Sequence, residues 1–483
     1  MNYVQSSAGY RSRSKRLRAR RRRALAVVAV FAAAAIVLFA KLHSASGTVA
    51  HDLVSCAPSG QILGKQALKN ASCVAQNLRG PSAERSFAPA QALDRTNDER
   101  NRLGRDLAGA FGPALAGARA WSLAVISADG RTIFDQRAER AVAPASVQKL
   151  IVAATALDAL GPAYRYHTIF AGEQGIGDDG TLDGNLWLIG SGDPSLQSAD
   201  LANGVGELAR GGLRRIGGGV IVDATTLRGP GFNPHWGPDD SGQDYAAPTS
   251  AVSLDGDTVE SQQQVGGIEQ RVWTPMQDVA PYVASRLNAM LIARKIAPAR
   301  PPTVGAAPLE SVMLWDHRSP PLQALESHML FVSDNHYAEQ LLRTVGEETI
   351  GAADDAGGID SEQGFLERLS IPTPGMRILD GSGLSPDNRV AAITFARLLS
   401  DQESSLYMLL PRGGREGTLR HYDFTTALGR VRAKSGHLSD VSALAGYVTT
   451  RRHGRVAFAF LLNGSPGDPD AAIVRAVNRL AAY

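Results

Sequence analysis

Helical and strand-like periodicity alternate along this chain in an order that few folds accommodate. Thr96 and Glu99 fit a capping box, and Leu103, Leu107 and Phe111 then fall on one helical face. Ser122 to Ser127 reads as a strand, Asp129-Gly130 as a hairpin turn and Thr132 to Phe134 as the return strand. A helix follows from about Ser146 to Leu160, stopped by Gly161-Pro162. Residues 163–319 change character. They are rich in Gly and Asp and hold short strand-like pieces such as Asn185 to Ile189 and Gly218 to Val222. Helical spacing returns after about Pro320, through Tyr337, Leu341, Leu342 and Val345. Gly429 to Ala433, Ser442 to Thr450 and Arg455 to Asn463 alternate like neighbouring strands. Asp468 and Pro469 open a last helix with Ile473, Val474, Val477 and Leu480 on its buried face. Helices at both ends of an antiparallel sheet, interrupted by a mainly β insertion, make an α+β plan. The expected body is therefore 96–162 with 320–483, and 163–319 is one inserted domain.

Apolar residues make up 44% of the 483 and charged residues 20%, which excludes a disordered chain. Two cysteines cannot build a disulfide scaffold or a four-cysteine zinc site. The net charge of +3 hides an asymmetry. Ten of the 50 basic side chains lie in residues 1–41, which carry no acidic one, so the other 40 face 47 acidic groups. A mildly acidic body argues against nucleic acid as a partner.

The basic cluster Arg11, Arg13, Lys15, Arg16, Arg18 and Arg20 to Arg23 precedes the uncharged run Ala24 to Ala40, which Lys41 closes. That order predicts a cytoplasmic tail over 1–23, a membrane segment over 24–40 and an extracytoplasmic remainder. The apolar length favours an uncleaved anchor over a signal cut after Ser44-Ala45-Ser46. Residues 41–95 read as a stalk. Cys56 and Cys73 lie within it, where a disulfide is permitted and two free thiols are the alternative.

Lysine usage points to chemistry. The chain has 43 arginines and seven lysines, and beyond residue 75 only Lys149, Lys295 and Lys434 remain. Arginine cannot release its proton in a protein, whereas a desolvated lysine amine can. Each rare lysine is thus a candidate for proton transfer or for a compact point charge. Lys149 follows Ser146 by three residues, so a helix starting there puts both on one side. A lysine within reach can take the serine proton and create a nucleophile.

Two further motifs follow in order: Ser333-Asp334-Asn335 and Lys434-Ser435-Gly436. The sequence SxxK, SxN, KSG resembles the three-part signature of serine acyltransferases that bind penicillin. The similarity extends to APASVQKL (143–150), GSGDP (190–194), YAAP (245–248), SPPL (319–322), SDNHYAEQLL (333–342), DGSGLS (380–385), GTL (417–419) and LAGYV (444–448). On these stretches the chain resembles the low-molecular-mass class C penicillin-binding proteins, the D-alanyl-D-alanine carboxypeptidase/endopeptidase family (peptidase family S13). The resemblance implies a β-lactamase/transpeptidase-like domain with a domain inserted between the first two motifs. It departs at KSG, where KTG is commoner, and at Phe331, where many relatives carry lysine.

The resemblance also implies roles. Ser146 attacks the carbonyl between two D-alanines, with Lys149 as general base. The backbone N–H groups of Ser146 and His437 form the oxyanion hole. Ser333 relays a proton to the leaving amine, Asn335 holds the substrate amide, and Lys434 and Ser435 hold the terminal carboxylate, with Gly436 counted beside them among the substrate-binding residues. The partners implied are peptidoglycan stem peptides, with β-lactams as inhibitors. No cofactor is implied, and no H-E-x-x-H or Cys/His cluster suggests a metal. The rival readings are a β-lactamase, which needs a deacylating base that no motif supplies, and a non-catalytic, membrane-anchored peptidoglycan-binding protein.

Overall fold

The computed structural model describes residues 90–265 and 268–483. The basic tail, the run Ala24 to Ala40, most of the stalk and both cysteines lie outside the described residues. Among the described residues, no helix is long and apolar enough to cross a membrane.

The chain order is helix α1 (Ala90–Leu115), strands β1 (Ala120–Ile126) and β2 (Thr132–Gln136), and helix α2 (Lys149–Leu160). Next come β3 (His167–Gly172), β4 (Leu186–Ile189), α3 (Ser198–Arg210), β5 (Val220–Asp223), β6 (Thr258–Val265), β7 (Ile268–Pro275), α4 (Val279–Ala293), β8 (Thr303–Val304) and β9 (Val312–Arg318). Helices α5 (Leu322–Val332), α6 (Asn335–Ile350), α7 (Asp355–Arg368) and α8 (Ala392–Asp401) follow. Strands β10 (Val431–Leu438), β11 (Val441–Thr449) and β12 (Arg455–Asn463) and helix α9 (Pro469–Ala482) close the chain.

Strands from both ends of the chain share one antiparallel sheet, in the order β10-β11-β12-β1-β2. Its register pairs Ala120 with Asn463 and Ile126 with Ala457. Both faces are covered, and the period-2 alternation of the strands sorts side chains between two cores. Leu123, Val125, Phe458, Phe460 and Leu462 face α1 and α9 through Leu103, Leu107, Phe111, Ile473, Val477 and Leu480. Phe111 and Phe460 meet edge to face at 5.0 Å. The opposite face is paved with small side chains, Ala124, Ala443, Ala445, Ala457 and Ala459. That paving makes room for α2, whose residues Lys149 to Ala156 are all buried.

Residues 167–318 build a second five-stranded sheet, ordered β8-β5-β4-β3-β9 and mixed in direction. It carries its own apolar core. Strands dominate this region, but two helices, α3 and α4, were not anticipated. Their spacing is legible in retrospect: Leu201, Val205 and Leu208, and Val283, Leu287 and Leu291, are all buried at helical intervals.

Two further expectations need correction. Helix α1 starts at Ala90, so Thr96 lies inside it and is no N-cap. The upstream residues Ala90-Gln91-Ala92-Leu93 are good helix formers and extend the helix past the apparent capping box. Lys295, one of the three rare lysines, is exposed just after α4 and adopts φ +62°. It closes a helix end, with its amide donating to the Ile292 carbonyl, and takes no part in the cleft described next.

Candidate active site

Ser146 sits in a single 3₁₀ turn, Ala145–Gln148, that leads directly into α2. Two contacts fix this turn. The Asn463 side chain at the end of β12 exchanges hydrogen bonds with Ala143, accepting from its N–H at 2.9 Å and donating to its carbonyl at 3.0 Å. Ala145 takes φ +48°, a strained conformation for a residue with a Cβ, and strain of this kind persists where the surroundings over-determine it. Edge strand β10 passes so close that a Cβ on Gly436 would stand 2.9 Å from the Pro144 carbonyl oxygen and 3.0 Å from the Ser146 nitrogen. Glycine in the third motif is thereby explained by close approach.

The three motifs converge. Lys149 Nζ lies 2.9 Å from Ser146 Oγ, 2.7 Å from Asn335 Oδ1 and 2.7 Å from the Ser382 carbonyl oxygen. Asn335 opens α6, and its Nδ2 donates to the Tyr245 carbonyl at 2.9 Å, which fixes its amide with the oxygen toward the lysine. Ser333 ends α5 with φ +66°. Lys434 Nζ donates to Ser333 Oγ at 2.8 Å and to the Ser435 carbonyl at 2.6 Å. Ser435 Oγ donates to Thr418 Oγ1 at 2.8 Å. His437 is exposed at the cleft, with Nε2 about 3 Å from the Asp470 carboxylate and 3.2 Å from Tyr422 Oη.

The cleft between these groups holds about 550 Å³. Ser146, Ser333, Asn335 and His437 line it, together with Tyr245 and Asp240 from the insertion and Leu384 from the loop after α7. A groove of similar size between α1 and α9 touches none of the motif residues.

Burial sets the electrostatics. Both lysines are 0% exposed. Desolvation pushes the Lys149 amine down to about 8, although the carboxylates of Glu339, Asp380 and Asp334 pull the other way. Lys434 is driven well below its ordinary value, first by burial and then by repulsion from Lys149.

Several residues were not assigned roles from sequence. Glu339, on α6, accepts the amide protons of Gly381 at 3.1 Å and Ser382 at 2.8 Å, and so aims the Ser382 carbonyl at Lys149. Asp380 accepts from the amides of Gly383 and Ser385 and from Asn388 Nδ2. Burial raises both carboxyls, and the nearby Asp380 raises that of Glu339 further. These residues, with Tyr245 and Thr418, fall inside stretches singled out above: SDNHYAEQLL, DGSGLS, YAAP and GTL. The signal was present, but backbone contacts give it meaning and sequence spacing does not show them.

The family model for D-Ala-D-Ala carboxypeptidase 3 (S13) matches residues 108–269 and 264–482. A D-alanyl-D-alanine carboxypeptidase of Actinomadura sp. (strain R39) is 29% identical over 450 residues, covering 77% of this chain and 82% of the relative. A carboxypeptidase of Mycobacterium tuberculosis is 31% identical over 390 residues, covering 73% of this chain and 80% of the relative. The fold is similar to that of penicillin binding protein 4 from Haemophilus influenzae, with TM-score 0.71 and 22% identity over 78% of this chain and 99% of that one. With most of its length matched in this way, the chain belongs to the D-Ala-D-Ala carboxypeptidase 3 (S13) family.

Proposed function

We propose that this protein is a serine D-alanyl-D-alanine carboxypeptidase and endopeptidase. It acts on peptidoglycan stem peptides through an acyl-enzyme on Ser146 and is acylated there by β-lactams. The observation that carries the reading is the disposition of Lys149. A neutral amine has two hydrogens and one lone pair. The Asn335 oxygen and the Ser382 carbonyl take the hydrogens, which leaves the lone pair for the Ser146 hydroxyl at 2.9 Å. Burial that brings the amine down to about 8 makes that neutral form accessible near neutral pH.

In this reading Ser146 Oγ bonds to the carbonyl carbon of the penultimate D-alanine and its proton passes to Lys149. The oxyanion takes the backbone N–H groups of Ser146 and His437. The C–N bond then breaks, and the departing nitrogen receives a proton through Ser333, which is hydrogen-bonded to Lys434. Asn335 orients the substrate amide. Lys434 and Ser435 receive the terminal carboxylate, and Gly436 lets their strand pass close to Ser146. Water releases the acyl group. A β-lactam ring amide enters the same sequence. Intact mass after incubation with benzylpenicillin should show one adduct, mapped to the peptide carrying Ser146. An unmodified mass, or an adduct that survives in Ser146→Ala, would sink the assignment.

The same reading puts the body outside the cytoplasm as an inserted 163–319 domain within a catalytic domain of 96–162 and 320–483. Residues 24–40 serve as its anchor and 41–95 as its stalk. Its support is the basic flank before an uncharged run. Fractionation should find the full-length chain in the membrane. A soluble mature chain starting near Gly47 on N-terminal sequencing would refute the anchor.

A further inference from the structure

Next to the catalytic cleft, a second concavity of about 330 Å³ is lined by the Ser333–Asn335 turn. The two share Tyr245, Ser333 and Asn335, but Ser146 and His437 line only the first. Three large apolar side chains stand exposed around the second: Tyr245 at 47%, Trp273 at 45% and Val332 at 54%. One exposed apolar side chain is ordinary, whereas several gathered on a concave surface beside a reactive centre mark a binding site. Trp273 belongs to hairpin β6–β7 of the insertion, and its cross-strand partner is the surface residue Glu260. Packing within the hairpin therefore does not account for an aromatic at this position.

We infer that this concavity receives the leaving strand of a crosslinked substrate, the second stem peptide whose diamino acid supplies the departing amine. The inference rests on the reading of Ser146 as the acylated serine and deepens it. Direction decides the occupant. The acyl half stays on Ser146, in the first cleft, while the departing nitrogen is protonated at Ser333, which lines both concavities. A chain continuing from that nitrogen passes Ser333 and enters the second concavity. The Tyr245 and Trp273 rings offer flat apolar faces to the methylenes of a diamino acid. The exposed carboxylate of Asp244 at the rim suits the ammonium that cleavage releases. A free D-alanine ends at its carboxylate and does not reach Trp273. The concavity therefore serves crosslink cleavage and is silent in terminal D-alanine release.

The test compares two substrates on the full-length protein: a purified crosslinked muropeptide dimer and a monomeric stem pentapeptide. Trp273→Ala should lower kcat/KM for the dimer about tenfold, mainly through KM, the scale of losing one aromatic anchor. Release of D-alanine from the monomer and acylation by benzylpenicillin should stay within about twofold. Trp273→Phe should recover most of the dimer activity, since it keeps the apolar face. An equal fall on both substrates would assign Trp273 a structural role and overturn the inference. So would an unchanged dimer rate, or a wild-type protein that releases D-alanine but leaves the dimer intact. A wild-type protein that does neither, and takes no penicillin, refutes the parent reading and this inference with it.

Discussion

Lys149→Arg should lower the rate of Ser146 acylation by benzylpenicillin about 10²–10⁴-fold, the range attributed to a positioned general base. The amine is wholly buried and makes three contacts, at 2.7–2.9 Å. A guanidinium keeps the charge but has no lone pair to accept the serine proton, and it does not deprotonate in a protein. It also brings a larger planar group into a space bounded by Asn335 and the Ser382 carbonyl. The second-order rate constant, followed by intact mass, measures the effect. Thermal unfolding of the variant beside Ser146→Ala separates lost chemistry from lost folding. A folded Lys149→Arg protein acylated within tenfold of wild type would remove Lys149 from the base role.

The second large effect concerns a residue that touches no substrate. Acylation by a base near pKa 8 should rise as pH passes through about 8 and then level off, because the neutral amine is the active form. The carboxylates facing Lys149 are Glu339, Asp380 and Asp334, and each favours the protonated amine. Glu339→Gln removes one of them, so the amine should lose its proton more readily and the rise should move to lower pH. The same change leaves one of two buried amides, Gly381 or Ser382, without its acceptor, at a cost of about 1–3 kcal/mol. The loop then holds the Ser382 carbonyl less firmly against Lys149, and the high-pH plateau should fall about tenfold. A merely structural role would scale the whole profile down without moving it. A profile that stays in place, or moves to higher pH, would contradict Glu339 as the group that positions and biases Lys149.

These two predictions divide between what is legible along the chain and what is not. The proposed nucleophile and its proposed base are three residues apart, and one turn of helix is enough to bring them together. Ser146 and Lys149 could therefore be paired from spacing and from the rarity of lysine. The order of the three motifs and the strands near the C-terminus are likewise local patterns with periods that can be counted. The α+β plan of an antiparallel sheet with helices at both ends followed from them, and the structure adds that the sheet joins both ends of the chain, with Ala120 paired to Asn463. Local pattern also misled. The capping box at Thr96 was overridden by helix-forming residues upstream, and the glycine-rich look of the insertion masked α3 and α4.

What only the tertiary structure decided is whatever depends on residues far apart meeting through backbone atoms. Lys149 and Asn335 are 186 positions apart, and Lys434 and Ser333 are 101 apart. No periodicity reports such separations. Glu339 works through two peptide N–H groups, Tyr245 through its carbonyl and Gly436 through the absence of a Cβ against Pro144. Backbone groups are the same at every position, so sequence does not reveal which of them will be placed against a buried amine. The state of the lysines is decided the same way. Lysine is usually a surface cation, and only complete burial, with carboxylates near Lys149 and none among the groups that shift Lys434, sets the two amines apart. Sequence could put forward the candidate reacting groups because their chemistry resides in side chains, whereas their protonation and aim come from the surrounding fold.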